Sequence, residues 1–130
     1  MTTQVAPPPL VSVVLCTWNR VQLLEGALEA LISQVDPPPY EILVVDNAST
    51  DDTHDLVTRL SRRHFRLRYV FEATPGLSFA RNTGVRLTTG AAVAFTDDDV
   101  RVPTRWLRNV VTALDRNSLR PGSRIVIAAT

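Results

Sequence analysis

The three consecutive carboxylates Asp97-Asp98-Asp99 are the densest chemistry in this 130-residue chain. At about 5 Å and an effective dielectric of about 20, each like-charged pair costs about 3 kcal/mol. A triplet held together therefore calls for a counter-charge. Mg²⁺ or Mn²⁺ would supply it, taking one or two carboxylates together with phosphate oxygens. The alternative is a solvated acidic lead-in to a helix, with Asp98 or Asp99 capping a turn. Asp46, directly after Val44-Val45, is a second acid at the end of an apolar run. A carboxylate there can accept from a ribose hydroxyl or a base N–H, or simply cap the following turn. Arg81 lies in Gly76-Leu77-Ser78-Phe79-Ala80-Arg81-Asn82-Thr83-Gly84, near a helix start. Free helix N–H groups and a guanidinium both favour phosphate, although an ordinary surface arginine would read the same.

Other residues are weaker candidates. Cys16, the only cysteine, reads as an apolar filler, and its solitude excludes an internal disulfide and fits a reducing compartment. His54 and His64 share no ligand spacing with the acids. Trp18 could stack on a ring or pack at a strand end. All 14 basic residues are arginine, so a P-loop, a Schiff-base enzyme and a kinase-type lysine are ruled out. An acidic-pocket receiver domain fails for the same lack of lysine.

Net charge is only +1, which argues against a nucleic-acid partner, but the charge is unevenly spread. Residues 1–58 hold one arginine against eight acids, and residues 59–130 hold thirteen arginines against five. Such halves suit a site that takes an anion and a cation together, or a lopsided surface. The basic run Arg59–Arg68 is read first as a solvated helix face, with anionic lipid or nucleic acid as the alternative. No apolar run approaches the ~18–20 residues of a membrane span, and MTTQVAPPPL lacks the order of a signal peptide. The expectation is a cytoplasmic chain, with peripheral contact at the inner face of the membrane as an option.

These residues need elements to position them. Continuous apolar runs predict strands at Val11–Thr17, Glu41–Asn47, Leu67–Glu72, Ala92–Asp97 and Arg124–Thr130. Helical spacing fills the gaps. One helix carries Leu23 to Ile32 with Asn19 as its cap, and a second carries Leu56, Val57 and Leu60 after Ser49-Thr50-Asp51-Asp52. A third spans Ser78–Thr89 before Gly90, and a fourth carries Trp106 to Leu114 after Pro103. Residues 1–9, with Pro7-Pro8-Pro9, read as a flexible lead-in to a domain over 10–130. Strands alternating with helices predict an α/β fold, a doubly wound, mostly parallel sheet with helices on both faces. Ligands bind outside the carboxyl ends of such strands, which brings Thr17, Asn19, Asp46, Arg81 and the Asp97–Asp99 triplet to one rim. The first strand–helix turn, Cys16–Arg20, has no glycine, which rejects a nicotinamide-binding fingerprint.

Four segments in order resemble a family 2 glycosyltransferase of the GT-A type: VSVVLCTWNR, YEILVVDNASTDDT, GLSFARNTGVRLTTG and AAVAFTDDDVRVPTRWL. The resemblance covers about residues 10–110. It implies a donor site for a nucleotide diphosphate sugar, with UDP- or GDP-sugars as the expected donors. The main chain around Thr17 and Asn19, with Asp46, would hold the base and its sugar, and Arg81 would contact the nucleotide or its diphosphate. Asp97 and Asp99 would form the Asp-x-Asp motif, with Asp99 on Mg²⁺ or Mn²⁺, Asp97 towards the ribose, and Asp98 at the variable position among the substrate-binding residues. The implied reaction is inverting transfer to an acceptor hydroxyl on a glycan, lipid or small molecule. It needs a general base, which the family places well downstream of the motif. Here the only acid after Asp99 is Asp115, inside the apolar-periodic fourth helix. The expectation is thus the nucleotide-sugar half of such an enzyme, without the acceptor half and its base. The alternative is a binding module that does not transfer.

Overall fold

The computed structural model describes residues 7–114 and 124–128. Five strands and four helices alternate along the chain. They are β1 (Val11–Thr17), α1 (Val21–Ile32), β2 (Tyr40–Asp46), α2 (Thr53–Ser61), β3 (Leu67–Phe71), α3 (Leu77–Arg86), β4 (Ala92–Asp97), α4 (Trp106–Ala113) and β5 (Ile125–Ala128). The sheet is parallel throughout, in the order β3-β2-β1-β4-β5. Strand order therefore reverses between β1 and β4, where Cys16 pairs with Asp97.

Alternate residues of the central strands enter two cores, as a sheet covered on both faces requires. Val11, Val13 and Leu15 of β1 pack with Leu24, Ala27, Leu28 and Leu31 of α1, Leu56, Val57 and Leu60 of α2, and Leu107 of α4. The four α1 residues recur at helical spacing, and the leucines among them have no exposed surface, contributing about 1.5–3 kcal/mol each. Val14, Leu43, Val45 and Val93 face the other way, onto Ala80 of α3. That helix sits close to the sheet because residue 84 is glycine. A Cβ there would lie 2.4 Å from Val14 Cγ1.

The ends of the elements depart from expectation in instructive ways. Asn19 does not cap α1. It has a positive φ of 51°, and the first free N–H, on Val21, is accepted instead by Asp51 Oδ2 at 3.1 Å. The same carboxylate accepts from Thr53 N at the start of α2, so one side chain caps two helices. Helix α3 stops at Arg86 rather than Thr89. The hydroxyl of Thr88 donates to Gly84 O, and the Arg124 guanidinium takes Val85 O and Gly90 O. The anticipated fifth strand is present as Ile125–Ala128; Thr130, Asp115 and residues 1–6 lie outside the described residues. Among the described residues no helix is long and apolar enough to cross a membrane.

Candidate functional site

The carboxyl ends of β1, β2 and β4 surround an open cleft of about 520 Å³ at the point where strand order reverses. Its walls include Cys16, Thr17 and Trp18 from the end of β1, Asn47 after β2, Gly76, Leu77 and Ala80 around the start of α3, and all three aspartates after β4. The sheet thus delivers the acidic triplet and the α3 terminus to one place, as the strand-end rule requires.

The three aspartates are not equivalent. Asp98 is only 7 % exposed, whereas Asp97 and Asp99 are exposed. Asp98 Oδ2 accepts from the Thr17 hydroxyl at 2.9 Å, and Oδ1 takes Arg20 Nη1 at 3.3 Å. This inward carboxylate ties the end of β4 to the end of β1 and leaves its two neighbours open to solvent. Asp98, grouped by sequence with the substrate-binding residues, lines the cleft and at the same time braces the two strand ends. Arg20, which the sequence reading left without a role, is the only basic residue of the first 58 and supplies the counter-charge. That isolation was the available signal.

The β2 end is likewise braced. Asp46 is 2 % exposed, with Oδ1 accepting from Ser49 N at 2.9 Å and Oδ2 from the Tyr69 hydroxyl at 2.6 Å. Burial and the anionic Asp46 together push the Tyr69 hydroxyl well above its ordinary pKa. Asp46 does not line the cleft; it borders a separate hollow with His54 and Phe71. Its neighbour Asn47 does line the cleft, although its amide is engaged by Glu72 O, Thr74 O and Gly76 N. Those bonds hold the loop leading to α3. Glu72 fastens the same loop by accepting from Thr74 N and from the Thr83 hydroxyl, which hold its carboxyl below the usual range. Sequence reasoning missed Asn47, one polar residue among several after β2, and Tyr69, which lies in the middle of β3 rather than at its end.

Asn19 joins the two loops rather than facing the cleft. Its N–H donates to Ser49 Oγ at 2.9 Å, and its Oδ1 accepts from Thr50 N at 2.7 Å. Thr17 accepts from Asn47 N through its carbonyl, so both of its polar groups are engaged. Arg81 is exposed on α3, with its guanidinium 5.6 Å from the Phe95 ring centroid. Its charge reaches Cys16 in the cleft wall. There burial pushes the thiol up to about 11 against the pull of Arg81, with Asp97 adding to the rise. A thiol at that pKa is not a nucleophile near neutrality. Trp18 stands at the rim, 61 % exposed.

No group of three or more His, Cys, Asp or Glu side chains suited to hold a metal occurs among the described residues. With Asp98 turned inward, the cleft offers two open carboxylates among the described residues, Asp97 and Asp99. That donor set is too small for an all-protein cage and suits a hard cation that completes its shell with phosphate oxygens and water.

A parallel sheet with its cleft at the reversal point, two open carboxylates and an arginine beside a helix start is the architecture of a GT-A nucleotide-sugar fold. Residues 12–120 match Glycosyl transferase family 2, and the chain belongs to that family. Glycosyltransferase AglE of Haloferax volcanii is 35 % identical over 108 residues, covering 82 % of this chain and 36 % of that protein. Among solved structures, the mannosyltransferase PcManGT from Pyrobaculum calidifontis, in complex with GDP-Man and Mn²⁺, superposes with a TM-score of 0.68 at 37 % identity. It covers 76 % of this chain and 30 % of its own. S. aureus TarS in complex with UDP-GlcNAc superposes with a TM-score of 0.70 at 29 % identity, covering 78 % of this chain and 30 % of its own. The chain thus spans about a third of the length of these proteins.

Proposed function

We propose that this chain is the donor-binding half of a glycosyltransferase, holding a nucleoside diphosphate sugar and a divalent cation for inverting transfer to an acceptor hydroxyl. The observation that carries the reading is the split within the triplet, where buried Asp98 leaves Asp97 and Asp99 open on a cleft beside α3. The bound nucleotides of PcManGT and TarS support it by likeness of fold.

In this reading Asp99, with Asp97 beside it, holds Mg²⁺ or Mn²⁺, and Asp97 faces the ribose. When bound, the cation neutralises charge developing on the departing diphosphate. Arg81, near the start of α3, acts on the same charge through its guanidinium. Trp18 offers a ring face to the base at the rim. Thr17, Asn19, Asp46 and Asp98 serve by holding the strand-end loops in place, since their polar groups are already engaged. The acceptor, whether glycan, lipid or small molecule, and the general base that deprotonates it are assigned to a part of the protein beyond this half. The single half-buried cysteine fits a reducing, cytoplasmic setting.

Calorimetric titration with UDP and with GDP, each with and without Mn²⁺, tests the reading. One nucleoside diphosphate is expected to bind in a Mn²⁺-dependent way. Absence of binding by both, or binding indifferent to the metal, contradicts it.

A further inference from the structure

The pole of the sheet opposite the cleft has a different character. Between α2 and β3 the chain reads Arg62-Arg63-His64-Phe65-Arg66, with no acid in the segment. Phe65 is 72 % exposed, the highest value for any large apolar side chain among the described residues. It is also held in place. The Arg66 guanidinium lies 5.0 Å from the Phe65 ring centroid and 5.4 Å from that of Tyr40, and donates to Tyr40 O at 2.9 Å. Phe65 borders a hollow of about 400 Å³ whose other wall is Pro37–Pro39 with Ile32.

The charges around this ring are free to act outward. Arg59 is paired with Glu25 and Arg68 with Glu41, but among the described residues Arg62 and Arg63 have no ion pair. Nearby acids are already engaged. Glu41 accepts from Ser12, Thr89 N and Arg68, and these bonds keep its carboxyl below the usual range despite burial. Asp36 faces Arg108. An exposed aromatic ring ringed by unneutralised arginines is the composition of an interfacial anchor. A single-stranded nucleic acid would instead need successive stacking rings along a groove, and this segment presents one ring.

We propose that this end of the molecule docks on an anionic bilayer, with Phe65 entering the headgroup boundary and Arg62 and Arg63 at the level of the lipid phosphates. The geometry then turns the cleft away from the membrane and towards the aqueous phase, from which a charged donor arrives. This inference stands independently of the donor reading, because it concerns the other pole of the sheet.

Co-sedimentation of the chain with phosphatidylcholine vesicles, with and without phosphatidylglycerol, tests it. The chain is expected to bind the phosphatidylglycerol vesicles, to leave the neutral ones in solution, and to release as salt is raised. Each arginine near a charged surface accounts for roughly a fivefold change in partitioning, so the Arg62→Gln, Arg63→Gln double variant is expected to bind about 25-fold more weakly. Phe65→Ser, at an exposed position that leaves the core intact, is expected to weaken vesicle binding severalfold and to leave the melting temperature unchanged. The proposal is overturned by equal binding to both vesicle types, by no binding to either, by variants that bind like the parent, or by tighter binding to an oligonucleotide than to phosphatidylglycerol vesicles.

Discussion

Strands β2 and β4 both end in an acid, and the two ends behave oppositely. At β2 the carboxylate of Asp46 is buried, with one oxygen on Ser49 N and the other on the Tyr69 hydroxyl. At β4 the burial falls one residue beyond the strand, on Asp98, and the flanking Asp97 and Asp99 remain open. The same residue type at equivalent places in the topology is a loop anchor in one case and an open carboxylate in the other. What separates them is the supply of donors. A carboxylate that finds a hydroxyl, a guanidinium or a main-chain N–H within its own fold is satisfied there and has no need of a ligand. One that finds none stays available for a cation or a sugar.

Removing the brace at β4 sharpens this comparison most strongly. Asp98→Ala is expected to cost about 2–3 kcal/mol of stability, because it leaves the buried Thr17 hydroxyl without its acceptor and Arg20 without its partner. Most of that cost is the hydroxyl, since Arg20 is half exposed and solvent-screened. Asp98→Asn, which keeps an acceptor oxygen, is expected to lose less than half as much. Denaturant unfolding of the two variants checks the order, and equal losses would mean that the carboxylate acts through something other than Thr17. Arg81→Ala, at an exposed position, is expected to leave stability alone while weakening nucleoside diphosphate binding by about 1.5–3 kcal/mol, the scale of a hydrogen bond to a charged group. The matching nucleoside is expected to bind unchanged, and calorimetry with both ligands separates the two outcomes. The smallest effect concerns Thr96, next to the triplet, whose buried hydroxyl has no partner among the described residues. Thr96→Val is expected to be neutral or to stabilise by up to about 1 kcal/mol, whereas a clear destabilisation would show that the hydroxyl is satisfied in solution.

The sheet was legible because buried parallel strands are written as unbroken apolar runs. β1 and β4 have the anticipated limits, β2 is shifted by one residue at both ends, and β3 stops one residue early. The ends of the helices were less legible, because their caps come from afar. Asp51 caps α1 from across 30 residues of chain, and Arg124 closes α3 from the start of β5. At the site, the strand-end rule brings Thr17 and the Asp97–Asp99 triplet to the cleft without saying which are open, and it does not separate them from Asp46 and Asn19, which do not line it. Strand alternation carried one residue past Asp97 would have put Asp98 on the side of buried Thr96, with Asp97 and Asp99 opposite. Asn19 offers no such signal, since its positive φ and its bonds to Ser49 and Thr50 exist only once the two loops meet.

The division of labour within the triplet is tested most directly by a parallel calorimetric titration of nucleoside diphosphate with Mn²⁺ into the parent chain, Asp99→Ala and Asp98→Asn, with each protein first shown to be folded. The expected result is that Asp99→Ala melts like the parent but loses the Mn²⁺-dependent part of binding. Asp98→Asn, in contrast, is expected to melt earlier while the folded protein still binds with metal. Mn²⁺-dependent binding that survives in Asp99→Ala and vanishes in folded Asp98→Asn would contradict the account, because the buried carboxylate would then be the ligand.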